Sequence, residues 1–179
     1  MFQPQNLSLA QSTKFKLSFS RLPYVTYFCS SVNIPGISST PTQQVTPFSD
    51  LPVPGDKIVY DTLDISFLID EDYRSWFTIH DWVRGFTFPT SFEEYTNLGL
   101  NGTSYPQNRA IALSSEKPQY SDAILTIYTN KNNPNIRIKF RDCFPVSLSS
   151  VKFSAQENAD VILNGDASFK FAYYDIERV

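Results

Sequence analysis

Apolar and polar residues alternate with a period of two over much of this chain. Between Lys14 and Ser20, Phe15, Leu17 and Phe19 fall on one side, with Lys14, Lys16, Ser18 and Ser20 on the other. Successive side chains of an extended strand point to opposite faces, so this stretch predicts a strand with one buried face. Arg21-Leu22-Pro23 predicts a turn, and Tyr24 to Val32 a second strand paired to the first. Lys57 to Ile69 reads as one long strand, with Leu63, Ile65, Phe67 and Ile69 on a common face. Ile124 to Thr129 and Ile136 to Cys143 flank a polar turn and predict a hairpin. In its second strand Ile136, Ile138 and Phe140 oppose Arg137, Lys139 and Arg141. Phe144 to Ser154 bends into another strand. The last, roughly Val161 to Ile176, sets Ala167, Phe169, Phe171 and Tyr173 against Ser168, Lys170, Ala172 and Tyr174.

One segment changes period. Trp76, Ile79, Val83 and Phe86 recur at three- and four-residue spacing, which predicts an amphipathic helix. Asp70 is placed to cap its free N–H groups, Glu71 and Asp72 suit the positive end of its dipole, and Gly85 after Arg84 marks its stop. Residues 34–56 carry Pro35, Pro41, Pro47, Pro52 and Pro54. Proline removes a donor and fixes φ, so this is neither a helix nor a central strand. Ile37, Val45, Phe48, Leu51 and Val53 nevertheless punctuate it, and a structureless loop of about 20 residues inside a compact domain normally signals function or disorder. Its apolar content argues for an extended arm completed by a neighbouring subunit, with Val45, Phe48, Leu51 and Val53 as the expected inter-subunit contacts. Residues 1–13 are polar and predict a flexible N-terminal arm. Residues 88–122, rich in Ser, Thr, Asn, Gly and Pro, predict a loop-rich insertion with one short helical turn near Phe92–Tyr95. The expectation is a single domain over 14–179, mainly β (α+β), a sandwich or barrel of about seven strands with one flanking helix. No internal repeat or low-complexity tract interrupts it.

Composition adds the assembly theme. Charged residues make up 18% of the 179 residues and aromatics 15%, a balance low in charge and rich in the residue types of interfaces. The net charge of −3 provides no basic footprint for holding a nucleic-acid backbone. Cys29 and Cys143 are too few for a secreted disulfide framework and read as two free, half-buried thiols. The N-terminus has no charged and apolar leader pattern, and no stretch approaches the roughly 20 apolar residues that span a bilayer. The chain is expected to stay where it is made, leaving the Asn101-Gly102-Thr103 sequon unread.

Candidate chemistry is sparse. His80 is the only histidine, which excludes His-based triads and multi-His metal sites and reads as a packed or surface residue. Asp70-Glu71-Asp72 resembles a hard-cation cluster, but it opens a helix instead of wrapping a glycine turn, so capping is the better reading. Glu93, Glu94 and Glu116 align with no partner across a cleft. The sequence contains no Gly-rich phosphate loop, zinc spacing or nucleophile elbow, so no cofactor, metal site or catalysis is expected. The stripe Arg137, Lys139 and Arg141 reads as a solvated or inter-subunit face.

Several of these pieces, in this order, carry a resemblance. They are Phe15–Phe19 with the strand after it, the Asn33-Ile34-Pro35-Gly36-Ile37 exit, Pro52-Val53-Pro54-Gly55-Asp56-Lys57, and Leu63 through Asp72 leading into a helix bearing Trp76 and Trp82. The closing Phe169-Lys170-Phe171 strand completes the set. Together they resemble the tail-tube fold of contractile-tailed bacteriophages, and within it are most similar to the tail-completion, or tail-tube terminator, proteins. The resemblance implies a structural virion protein that forms a hexameric ring around a DNA channel, its sheets joined edge to edge. It implies as partners other copies of itself in a homohexamer, adjacent tail tube, sheath or neck proteins, and DNA passing without specific binding, with no membrane. The implied place is the virion tail, assembled in the host cytoplasm. The long 88–122 region departs from the plain tube pattern, so the main tube protein and a baseplate-proximal ring stand as alternatives. A rival of another class is a jelly-roll carbohydrate-binding module or small hydrolase, with Tyr95 and Tyr105 stacking on sugar.

Overall fold

The computed structural model describes residues 8–87, 89–90, 119–154 and 162–179. The first strand, β1 (Phe15–Phe19), forms where the alternation predicts it, with Leu17 and Phe19 buried. The next segment differs from expectation. Pro23–Phe28 is a short helix, α1, and only Cys29–Val32 is a strand, β2, which pairs not with β1 but with the later strand Leu63–Leu68. Pro23 at the first helical position has its φ already set for the turn. Thr26 then fixes it, its hydroxyl donating to the Leu22 carbonyl at 3.0 Å and accepting from the Phe19 N–H at 3.0 Å.

The proline-rich arm is a two-tier hairpin rather than an irregular extended loop. Ile37–Ser39 (β3) pairs with Ile58–Tyr60 (β6), and beyond them Thr42–Val45 (β4) pairs with Asp50–Val53 (β5), both antiparallel. Lys57–Ile69 is accordingly not one strand. It breaks at Asp61-Thr62, where the Asp61 N–H donates to the Gly36 carbonyl at 3.1 Å, and resumes as β7 (Leu63–Leu68). Helix α2 (Arg74–Thr87) follows, starting four residues after the Asp70 cap and running through Gly85, which is buried in the helix and does not end it. Its buried face includes Trp82 as well as Ile79.

Four further strands complete the described fold: β8 (Ser121–Tyr128), β9 (Pro134–Leu148), β10 (Asn164–Lys170) and β11 (Tyr173–Arg178). The stretch after Cys143 is therefore the continuation of β9 and not a new strand, while the expected last strand divides at Phe171-Ala172. In β9, Arg141 and Asp142 both lie opposite Asp122, and Asp142 has φ of 52°. Such a bulge bends a strand. Before the bend β9 pairs with β8 and β11; after it, Phe144–Leu148 pairs with β10. One long strand thus belongs to two sheets, β1-β8-β9-β11 and β9-β10-β7-β2. Their apolar faces meet in a core containing Leu17, Phe67, Phe140 and Phe169, and α2 packs into it through Ile79 and Trp82. Trp82 lies 6.0 Å from the Phe169 ring and donates its indole N–H to the Gln119 carbonyl at 3.0 Å. This mainly β fold with a flanking helix is the class the alternation predicts. The expected helical turn at 92–95, with most of 88–122 and the first residues of the chain, lies outside the described residues.

Candidate interface: the proline-rich hairpin

The hairpin is held at its base and bare at its tip. At the base, Tyr60 sits 5.5 Å from Phe171 and 5.3 Å from Tyr174, ring to ring, and the Tyr174 hydroxyl donates to the Pro35 carbonyl at 3.4 Å. Asn33 braces the same corner, its side-chain amide donating to the Thr62 carbonyl at 3.0 Å and its oxygen accepting from the Asp64 N–H at 2.7 Å. Pro52 lies opposite Gln43 in a two-stranded ribbon with no further neighbour among the described residues, a place where the missing N–H costs no ladder bond. Gly55 is required by closeness of backbone: a Cβ there would meet the Thr40 carbonyl oxygen at 1.8 Å. At the far end Thr46 and Ser49 close the turn, with the Ser49 N–H donating to the Thr46 hydroxyl at 3.2 Å, and Pro47-Phe48 forms the tip.

The four side chains expected to make contacts are all exposed. Phe48 is 99% accessible and Val45 81%, with Leu51 and Val53 also outward. The register separates them: Leu51 and Val53 lie across from Gln44 and Thr42 on one face of the ribbon, Val45 on the other, and Phe48 projects at the end. Nearer the base, Ile37, Ile58 and Val59 are exposed as well, Ile58 and Val59 on opposite faces of the ribbon. In the sequence Ile58 and Val59 read as part of a domain strand, yet both are exposed beside the arm. Their signal was present, since Ile58-Val59-Tyr60 has no polar position and so no solvent face.

His80 stacks on Trp76 at 5.2 Å and faces Asp81 at 3.2 Å, on the half-exposed side of α2. Arg141 pairs with Asp122, which pushes the guanidinium pKa up, and Lys139 holds Glu177 at 2.7 Å, keeping that carboxyl below its ordinary range. The predicted basic stripe is therefore interleaved with acid. Cys29 and Cys143 are free thiols.

Residues 2–177 match the family model described as phage tail tube protein. The chain belongs to that family. It is 28% identical over 183 residues to the tail tube terminator protein of Enterobacteria phage T4, across 97% of this chain and 92% of that one. Among solved structures it is similar to a chain of the anti-feeding prophage tube terminating cap, with a TM-score of 0.60 and 11% identity over 99% of this chain and 97% of the other. A chain of the PVC extracellular contractile injection system sheath-tube complex matches with a TM-score of 0.58 and 13% identity, over 96% and 93% of the two chains. At those identities the likeness is one of fold. Membership makes this tail tube protein a structural component of a phage tail, and it decides against the carbohydrate-binding reading. Tyr95 and Tyr105, on which that reading leaned, lie outside the described residues.

Proposed function

We propose that this protein is a non-catalytic subunit of a hexameric ring that terminates the tail tube around the DNA channel. The observation that carries the ring is the bare hairpin. Val45, Phe48, Leu51 and Val53 form an apolar arm that its own domain leaves in water, and exposed apolar surface of this kind marks an interface. Its chemistry fits a neighbouring subunit, and each ring contact should bury more than roughly 1,000 Å². The terminator position is supported by similarity to the T4 terminator over nearly the full length of both chains. A terminal ring meets the tube on one side and a neck or sheath protein on the other, and it is built in the host cytoplasm before joining the virion. Because the chain is acidic overall and without a basic footprint, DNA passes it without specific binding.

Copy number in purified particles tests the position. One ring's worth per tail supports the terminator. A copy number tens of times larger would make it the main tube protein, and a single ring located beside the baseplate would make it an initiator. An isolated monomer in the particle would overturn the ring.

A further inference from the structure

At the end of β7 away from the hairpin lies a second exposed aromatic surface. The hairpin leaves beside Leu63, where Asn33 braces Thr62 and Asp64. Beyond Leu68 the chain turns at Asp70 into α2, and the segment after β9 passes the same end, the Trp76 indole N–H donating to the Ser149 carbonyl at 3.2 Å. There Tyr73 links two exposed rings, its centroid 6.3 Å from that of Phe77 and 6.3 Å from that of Phe153. Phe77 is 51% accessible and Phe153 70%. Trp76 meets Phe77 edge-on at 5.6 Å, and His80 extends the row by stacking on Trp76. Tyr73 has a φ of 56°, a left-handed value that bulky residues avoid, and backbone strain of this kind gathers at functional contacts.

We infer that this aromatic surface is the socket for the Pro47-Phe48 tip of a neighbouring copy in the ring. The inference rests on the ring reading above and adds the surface that receives the arm. Copies that repeat one contact around a closed ring bring together two different patches of the same chain. The hairpin is one such patch, and the Tyr73-Phe77-Phe153 surface is the other. They sit at opposite ends of β7, which suits contact between copies and not within one. Their chemistries also match. Proline-rich extended segments dock on surfaces lined with aromatic rings, and the hairpin carries Pro47 and Phe48 at its tip with Pro52 and Pro54 behind. Between Thr42 and Asp56 the hairpin has the acids Asp50 and Asp56 and no lysine or arginine, while exposed Lys152 adjoins Phe153. Arg74, at the same end, is shared with Asp72 at 3.4 Å.

The test uses assembled tails. Ser49→Cys with Lys152→Cys puts one thiol beside the tip and one beside the socket. A short bis-maleimide should then join copies head to tail, giving a ladder that climbs to the hexamer on a denaturing gel. Either substitution alone should give none. No ladder from the double variant, or a ladder from one substitution alone, in tails whose reconstruction shows an intact ring overturns the inference while the ring stands. The absence of any ring removes both. Phe77→Ser with Phe153→Ser provides an energetic reading. It should leave the melting of the free subunit unchanged and lower tail assembly about tenfold, as the loss of an interface anchor does. Adding Phe48→Ala should then cost little more, because the two partners of one contact are already apart. Losses that multiply overturn the pairing, and so does unchanged assembly of the double-serine variant.

Discussion

Asp70 shows how one side chain can set where an element begins. Its Oδ1 accepts from the Ser75 N–H at 3.0 Å and the Ser75 hydroxyl at 2.7 Å, while Oδ2 accepts from the Arg74 N–H at 3.3 Å. Burial alone would raise its pKa, but these hydrogen bonds outweigh it and hold the carboxyl below its ordinary value. A carboxyl depressed in the folded state stabilises fully above its unfolded pKa and loses that contribution as pH falls through the folded value. Asp70→Ala should therefore lower stability by about 1 kcal/mol at pH 7, as for other helix caps. Urea midpoints of variant and parent should converge as pH drops below about 4. The cap was readable from sequence because an acid before an apolar 3–4 pattern is a local signal; Ser75, buried beneath it, has no such signature. The two thiols are governed by their surroundings. Burial pushes Cys143 up to about 12, with the nearby Asp122 charge adding to it, and burial pushes Cys29 up to about 11 against the bond its Sγ–H makes to the Ser31 carbonyl. Both should stay protonated at pH 8, so iodoacetamide should alkylate them slowly in the native protein and rapidly in urea.

Among the elements, those with one buried face were legible and those without were not. Phe15, Leu17 and Phe19, and again Leu63, Ile65 and Phe67, announce β1 and β7 because burial on one side imposes the period of two. In Pro23–Phe28 only Val25 is buried, so one and a half turns of helix rich in aromatic and β-branched residues pass for a strand. The break at Phe171-Ala172 is hidden because alternation continues across it into Tyr173, whereas the one at Asp61-Thr62 shows only as a change of phase between Tyr60 and Leu63. The apolar exposure of the hairpin was legible in the sequence, but its ladder was not, since prolines argue against strands in general and permit only edge strands. Truncating its tip tests its purpose. Phe48→Ala should leave the melting of the monomer within about 0.5 kcal/mol of the parent, as for an exposed position. It should weaken ring or tail assembly by a few kcal/mol, about what a buried interface aromatic contributes. A strongly destabilised monomer would mean that the arm folds onto its own domain. Gly55→Ala should act on the hairpin itself: the added methyl strikes the Thr40 carbonyl, so amides of 42–53 should exchange faster with deuterium while those of β7 and β10 keep their protection.

At the scale of the molecule, α2 and the shared strand β9 make one structure of two sheets. Trp82 joins the helix to the core through Phe169, the Gln119 carbonyl and the Arg21 guanidinium, whose carbon lies 5.2 Å from the indole. Trp82→Ala should cost about 3–5 kcal/mol in equilibrium unfolding, the range for deleting a large buried aromatic. Unlike Phe48→Ala, this loss should appear in the free subunit. The fold class was legible at this scale because many strands of alternating pattern and one helix admit few layered arrangements. The passage of β9 from one sheet to the other was not, for its bend depends on Asp142 adopting a left-handed φ opposite Asp122, a pairing between distant parts of the chain. The sheet order has a consequence for how the protein is made. Phe15 pairs with Ile127, and β1 has no other strand partner among the described residues. At synthesis rates of about 5–20 residues per second, β1 leaves the ribosome on the order of ten seconds before β8 exists to receive it. During that interval Phe15, Leu17 and Phe19 form an apolar row on the nascent chain that only the neighbouring α1 can begin to cover.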